Sequence, residues 1–196
     1  KGIQDEAEGI AKGILNYVEL SPPRFLGGKV ESSTSYREWV VSADFSSAFP
    51  LDAKTIRAEL DGVDLNTPAV LSGGSIRISG ARPLENGKHI FRVSVRNSRG
   101  ATGRGEVECT VDRPVGEITY RQIPNDLDRR EKTVFMVELS VVDNLGFPIS
   151  DDTVVRLQPS GESVTTKAGQ ARFYLNNEVA GETIDFEVAG KTSSYK

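Results

Sequence analysis

Residues 88–111 read KHIFRVSVRNSRGATGRGEVECTV, and the class of the whole chain follows from this stretch. Phe91, Val93 and Val95 alternate with Arg92, Ser94 and Arg96. Beyond a turn at Arg99-Gly100, Val107, Cys109 and Val111 alternate with Glu106, Glu108 and Thr110. Successive side chains of a strand point to opposite faces, so two runs of period two about a Gly-rich turn predict a β-hairpin with one buried face.

The same grammar continues on both sides. Upstream, strands are expected over 36–46, 55–61 and 75–79, with 88–96 and 105–112 forming the hairpin. Turns fall at Pro50-Leu51-Asp52, Asp61-Gly62, Gly73-Gly74 and Glu85-Asn86-Gly87. Trp39, Val41, Ala43 and Phe45 share one strand face, which makes Trp39 a core anchor rather than a stacking platform. Downstream, strands are expected over 116–122, 133–143, 153–158, 162–166, 169–175 and 182–189. In the longest of them Phe135, Val137, Leu139 and Val141 face one way before a turn at Asp143-Asn144-Leu145-Gly146. Gly103-Arg104-Gly105 has no helix after it and reads as turn glycine, not as a phosphate cradle.

Only residues 3–18 carry helical spacing, with Ile3, Ala7, Ile10, Ala11, Ile14, Leu15 and Val18 three or four apart. Ser21-Pro22-Pro23 stops that helix, because proline lacks a donor and disfavours helical geometry in the residue before it. The chain of 196 residues suits two domains of roughly 100 residues each. Arg113-Pro114 before Val115-Gly116 is the expected joint. The reading is an all-β protein of two tandem β-sandwiches, 20–113 and 114–196, preceded by a short N-terminal amphipathic helix in 1–19.

Charge narrows the partners. Lys and Arg number 24 against 28 Asp and Glu, for a net charge of -4. Residues 19–114 carry 13 positive and 12 negative groups, and residues 115–196 carry 9 and 13. Neither part has the basic excess that nucleic acid binding requires. No apolar run approaches the roughly 20 residues of a membrane span, so no membrane insertion is expected. The one cysteine, Cys109, excludes an intrachain disulfide and sits on the inward register as a small hydrophobe. Met136 is the only methionine, so the sequence reads as a processed product or a piece of a longer protein, monomeric when isolated.

Catalytic chemistry finds little to build on. A zinc hydrolase needs three or four His, Asp, Glu or Cys ligands, and His89 is the only histidine. His89 lies on the register of Phe91, which favours a structural role, and no Gly-x-Ser-x-Gly elbow is present. Asp126 with Asp128, and Asp143 with Asp151 and Asp152, read as solvated turn carboxylates rather than calcium ligands, since no EF-hand spacing occurs. No catalytic residue, metal site or cofactor is expected. Arg92 and Arg96 share the outward face of the hairpin and are the candidate binding residues, with Arg77, Arg99 and Arg104 as neighbours. Their partner would be an anionic wall polymer such as peptidoglycan carboxylates or teichoic acid. The competing reading is a solvated face balanced by Glu59, Glu106 and Glu108.

Three stretches resemble known families. Residues 133–189, through VELSVVDNLGFPISDDTVVRL, AGQARFYL and IDFEVAG, resemble bacterial immunoglobulin-like domains of the invasin and intimin type, departing from them in the short passage between Leu157 and Ala168. Residues 36–111, through TIRAELDGVDL and SIRISGARPLENGKHIFRVSVRNSRGA, resemble a second class of bacterial Ig-like module. The helix DEAEGIAKGILNYVEL is similar, at Ile10, Gly13, Ile14 and Tyr17, to the closing helix of zinc-dependent N-acetylmuramoyl-L-alanine amidases. These resemblances imply a non-catalytic Ig-like module of a secreted or cell-surface bacterial protein. It would act as spacer and as a wall- or protein-partner-binding region, C-terminal to a peptidoglycan amidase. The alternative is a stalk fragment of a bacterial adhesin.

Overall fold

The computed structural model describes residues 2–32, 36–124, 134–176 and 183–195. Among the described residues one helix, α1 (Gly2–Leu20), precedes fifteen strands, and every sheet pairing among them is antiparallel. The chain is all-β apart from α1. It divides into two compact units, residues 1–84 with 88–109, and residues 85–87 with 110–196. Ile3, Ile10, Ile14 and Leu15 of α1 are all exposed.

In the first unit one sheet runs in the order β1 (Arg24–Ser32), β2 (Trp39–Ser46), β6 (Ser75–Gly80), β5 (Ala69–Ser72). The other runs β4 (Val63–Asp64), β3 (Leu51–Leu60), β7 (Gly87–Asn97), β8 (Thr102–Val111). Period-two residues face inward from both: Trp39, Val41, Ala43 and Phe45 from β2, Ile76 and Ile78 from β6, Phe91, Val93 and Val95 from β7. The Trp39 and Phe91 rings meet between the sheets at 5.0 Å, and Trp39 Nε1 donates to Arg82 O at 2.9 Å. Each large side chain buried this way contributes roughly 1.5–3 kcal/mol. Trp39 is thus a core anchor with its one polar group satisfied.

The turn joining β7 to β8 is organised by Asn97. Its Oδ1 accepts from Arg99 N and Ala101 N, both at 3.1 Å, and its Nδ2 donates to Ser21 O at 2.9 Å. Gly103 and Gly105 are not turn residues. They lie in β8 on its inward face, correcting the sequence reading, because the other sheet comes too close for a side chain there. A Cβ on Gly105 would strike the Phe25 ring, one on Gly103 would strike the Pro23 carbonyl, and one on Gly28 would strike Val107. The two sheets therefore close along β1 and β8 through glycine, and Arg104, between two inward glycines, is turned outward.

The second unit pairs β13 (Gln170–Asn176), β10 (Val134–Asp143) and β9 (Val115–Pro124) in one sheet. The other contains β12 (Ser163–Thr165), β11 (Val154–Gln158), β14 (Ile184–Val188) and β15 (Lys191–Tyr195) in that order. Val137, Leu139, Val141, Phe173, Phe186 and Val188 are fully buried, with the Phe173 and Phe186 rings 5.1 Å apart between the sheets. The short passage after Leu157 is a tight hairpin, in which Leu157 N donates to Glu162 O and Gly161 N to Leu157 O, both at 2.8 Å. Buried Arg113 and Asp143 and half-buried Asn86 form a polar knot in this unit: Asp143 Oδ2 accepts from Arg113 Nε at 2.5 Å and from Asn86 Nδ2 at 2.7 Å.

Candidate functional site

The outward face of β3, β7 and β8 carries the residues singled out from sequence. Antiparallel register sets Arg57 opposite Ser94, Glu59 opposite Arg92 and Asp52 opposite Arg96. Between Asp52 and Arg57 the register shifts, so β3 holds extra residues against β7, a bulge of the kind that re-aims side chains. Local hydrogen bonds shape it. Asp52 Oδ1 accepts from Lys54 N at 3.0 Å, Thr55 Oγ1 donates to Asp52 O at 2.7 Å, and Arg96 N donates to Thr55 Oγ1 at 2.9 Å. The bulge thereby brings Lys54 and Thr55 onto the face beside Arg96.

Lys54, Arg57, Arg96 and Arg104 surround a depression of about 300 Å³ whose remaining lining is Thr55, Ser94 and Thr102. No carboxylate lines it, and none of its four cations makes an ion pair with a described residue. Four like charges sharing one face are destabilising to bring together, and an anion would relieve that. Arginine presents a planar fork suited to carboxylate or phosphate, and hydroxyls can donate to the same oxygens.

Arg92 stands differently. Its Nε donates to Glu106 Oε1 at 2.8 Å, and this bond, reinforced by the Glu106 charge and then by Glu59, raises its pKa further. Arg92 lines the neighbouring depression of about 500 Å³, together with Arg57, Glu59, Asp64, Arg104 and Glu106. Arg57, Ser94 and Arg104 line both depressions. Of the two arginines expected to bind, Arg96 belongs to the unpaired cluster and Arg92 is already paired.

The other expected neighbours separate. Arg104 joins the cluster. Arg77 lies on β6 of the opposite sheet, 3.8 Å from Glu31, and Arg99 sits over the Phe49 ring at 5.1 Å. Glu108 takes Lys88 at 2.8 Å. Sequence reasoning did not find Lys54, Arg57 or Asp64. Arg57 alternates with Ile56 and Ala58 and so was legible as outward, but its neighbours depend on a pairing register that sequence does not print.

His89 Nδ1 lies 2.7 Å from Asp61 Oδ2, while Asp61 Oδ1 accepts from Ile90 N at 2.9 Å. The imidazole thus braces the Asp61-Gly62 turn. Cys109 is half-buried, and burial, then the Asp61 charge, raises its pKa. Asp143 is engaged by Arg113, and Asp151 Oδ1 accepts from Ala168 N at 2.6 Å. Asp126 and Asp128 lie outside the described residues. Among the described residues no three His, Cys, Asp or Glu side chains gather as a metal site.

No protein-family model matches the chain, and no curated protein does. Among solved structures, the chain is similar to dimeric latent PorU from Porphyromonas gingivalis, at 13% identity and a TM-score of 0.39. That alignment covers 90% of this chain and 20% of the other, so the chain spans about a fifth of that protein's length.

Proposed function

We propose that the chain is a non-catalytic pair of Ig-like β-sandwiches from a secreted or surface-exposed bacterial protein, serving as a spacer that also holds an anionic wall polymer. The observation that carries the binding half is the unpaired cluster of Lys54, Arg57, Arg96 and Arg104 about a hydroxyl-lined depression. Solvated sheet faces usually pair opposite charges across strands, as Arg92 and Glu106 do here, and the cluster breaks that habit. The Ig-like assignment draws on two facing antiparallel sheets in each unit and on the resemblances at 36–111 and 133–189. An upstream amidase draws on the helix resemblance alone.

Retention of the purified chain on purified peptidoglycan with its attached polymers tests the binding half. Retention at low ionic strength that falls with added salt is expected, because exposed charges are screened over roughly 10 Å at 0.1 M. The double variant Arg96→Gln, Arg104→Gln is expected to elute with the unbound fraction. No retention of the natural chain at low salt overturns the binding half and leaves a spacer.

A further inference from the structure

The cationic depression does not end in neutral surface. It continues through Arg57, Ser94 and Arg104 into the second depression, where Asp64 and Glu59 stand together across the β3–β4 pairing. Arg92 faces Glu59 across β3 and β7, but its Nε is held by Glu106. Asp64 is exposed and makes no side-chain bond with a described residue. One groove therefore has an unpaired cationic end and an acidic end.

The spacing between the ends follows from the sheet. The rows of Arg96, Ser94 and Arg92 are each two residues apart along β7, and a strand rises roughly 3.4 Å per residue, so adjacent rows lie roughly 7 Å apart. The Glu59 row is thus roughly 7 Å from the Arg57 row and roughly 14 Å from the Arg96 row. A simple polyanion passing along this groove would carry like charge past Asp64 and Glu59. A chain that alternates anionic groups with ammonium groups at that spacing meets opposite charge at both ends.

We infer that the groove selects a polyanion bearing ammonium groups, the anion seated among Arg57, Arg96 and Arg104 and the ammonium against Asp64 and Glu59. This rests on the anion-binding reading above and narrows it to a zwitterionic ligand. Selection arises because the acidic end repels a ligand that lacks the ammonium.

Poly(glycerol phosphate) carrying alanyl esters, and the same polymer after mild alkaline removal of the esters, form a matched pair of probes for calorimetric titration. Removing the ammonium groups raises the negative charge of the polymer, so a purely cationic site would hold the stripped form more tightly. The inference predicts the reverse, with the ester-bearing polymer several-fold tighter. Asp64→Asn should erase that preference while leaving the stripped form bound as well as before or better. Asp64 makes no side-chain bond with a described residue, so this variant keeps its fold, and Glu59→Gln provides a second reading of the same end. Tighter binding of the stripped polymer, or an unchanged preference in Asp64→Asn, overturns the zwitterion assignment and leaves anion binding standing. Equal, negligible binding of both polymers by the natural chain and by Arg96→Gln, Arg104→Gln overturns the anion-binding reading itself.

Discussion

Arg113 Nε lies 2.5 Å from Asp143 Oδ2, with 1% and 0% of the two side chains exposed. Asp143 Oδ1 also accepts from Leu145 N at 2.7 Å and Phe147 N at 3.0 Å, and the Phe147 ring lies against the guanidinium at 5.3 Å. Burial pushes the Asp143 carboxyl up. The Arg113 hydrogen bond, the two amides and Asn86 together outweigh that and hold its pKa below the ordinary aspartate value. A carboxyl depressed in the folded state stabilises it fully above the unfolded pKa of about 3.9, and the benefit is lost as pH falls through the folded value. Asp143→Asn is expected to lower the unfolding free energy of the second unit at neutral pH by about 3–5 kcal/mol, the scale for orphaning one partner of a buried pair. Urea titrations below about pH 4 should show the natural chain losing stability and the variant losing less. Parallel acid slopes in the two would count against the assignment.

Glu138 is shared by two arginines, accepting from Arg172 Nε at 2.7 Å and Arg121 Nη2 at 2.6 Å. The Arg172 hydrogen bond and then that of Arg121 hold its pKa below the ordinary glutamate value, against a smaller opposing effect of burial. Cross-strand register places Arg121 and Arg172 on either side of it, so its removal leaves two cations flanking an uncharged residue. Glu138→Gln should lower the thermal midpoint at pH 7. The difference from the natural chain should shrink as pH falls through the folded-state pKa, where the natural carboxyl also loses its charge. A difference independent of pH would mean that packing, not charge, is what the substitution removes.

The strand pattern shows how far sequence carries this fold. The hairpin of β7 and β8 was legible because apolar residues recur at period two on both arms. β1 was not, because Gly27 and Gly28 interrupt its pattern and its register shifts between Phe25 and Gly27. Its glycines answer to β8, whose closeness no local rule encodes. At the site, the outward direction of Arg92 and Arg96 followed from alternation, but which of them is free depends on Glu106 and on the Asp52–Arg57 bulge. Asp143 was legible as a turn carboxylate, while its burial depends on Arg113 and Asn86, 30 and 57 residues away in sequence.

The closure of the first unit through glycine gives a double-mutant test. Gly105→Ala drives a Cβ into the Phe25 ring and should cost about 1–3 kcal/mol, as overpacking of a filled core does. Phe25→Leu removes ring atoms from the same place. Combined with Gly105→Ala it should be less harmful than the two separate losses added together, and chemical denaturation of all four proteins measures the coupling. Strict additivity would show that the strain lies elsewhere.

Cys109 is half-buried on the inward register of β8, and burial first, then the nearby Asp61 charge, raises its pKa. The thiolate is the reactive form, so alkylation by iodoacetamide at neutral pH should be slower than that of an exposed model thiol and should quicken on unfolding in urea. Rapid alkylation of the folded chain at neutral pH would contradict both the burial and the shift.

Arg92 and Arg96 lie on one strand face two rows apart, yet they should answer differently to the same substitution. Arg92→Gln removes an exposed pair with Glu106, and such solvent-screened pairs contribute little to stability. It leaves all four cations of the cluster in place, so binding of a wall polymer should change little. Arg96→Gln removes one of the four unpaired cations. If it donates to an anionic oxygen of the ligand, its loss should weaken binding roughly tenfold, the scale of a charge-assisted hydrogen bond. It should also flatten the dependence of affinity on salt, because fewer counterions are exchanged on binding. Affinities measured across a salt series separate the cases. Equal losses for the two substitutions would mean that the whole face acts as diffuse positive charge, and the assignment of a discrete site to Lys54, Arg57, Arg96 and Arg104 would fail.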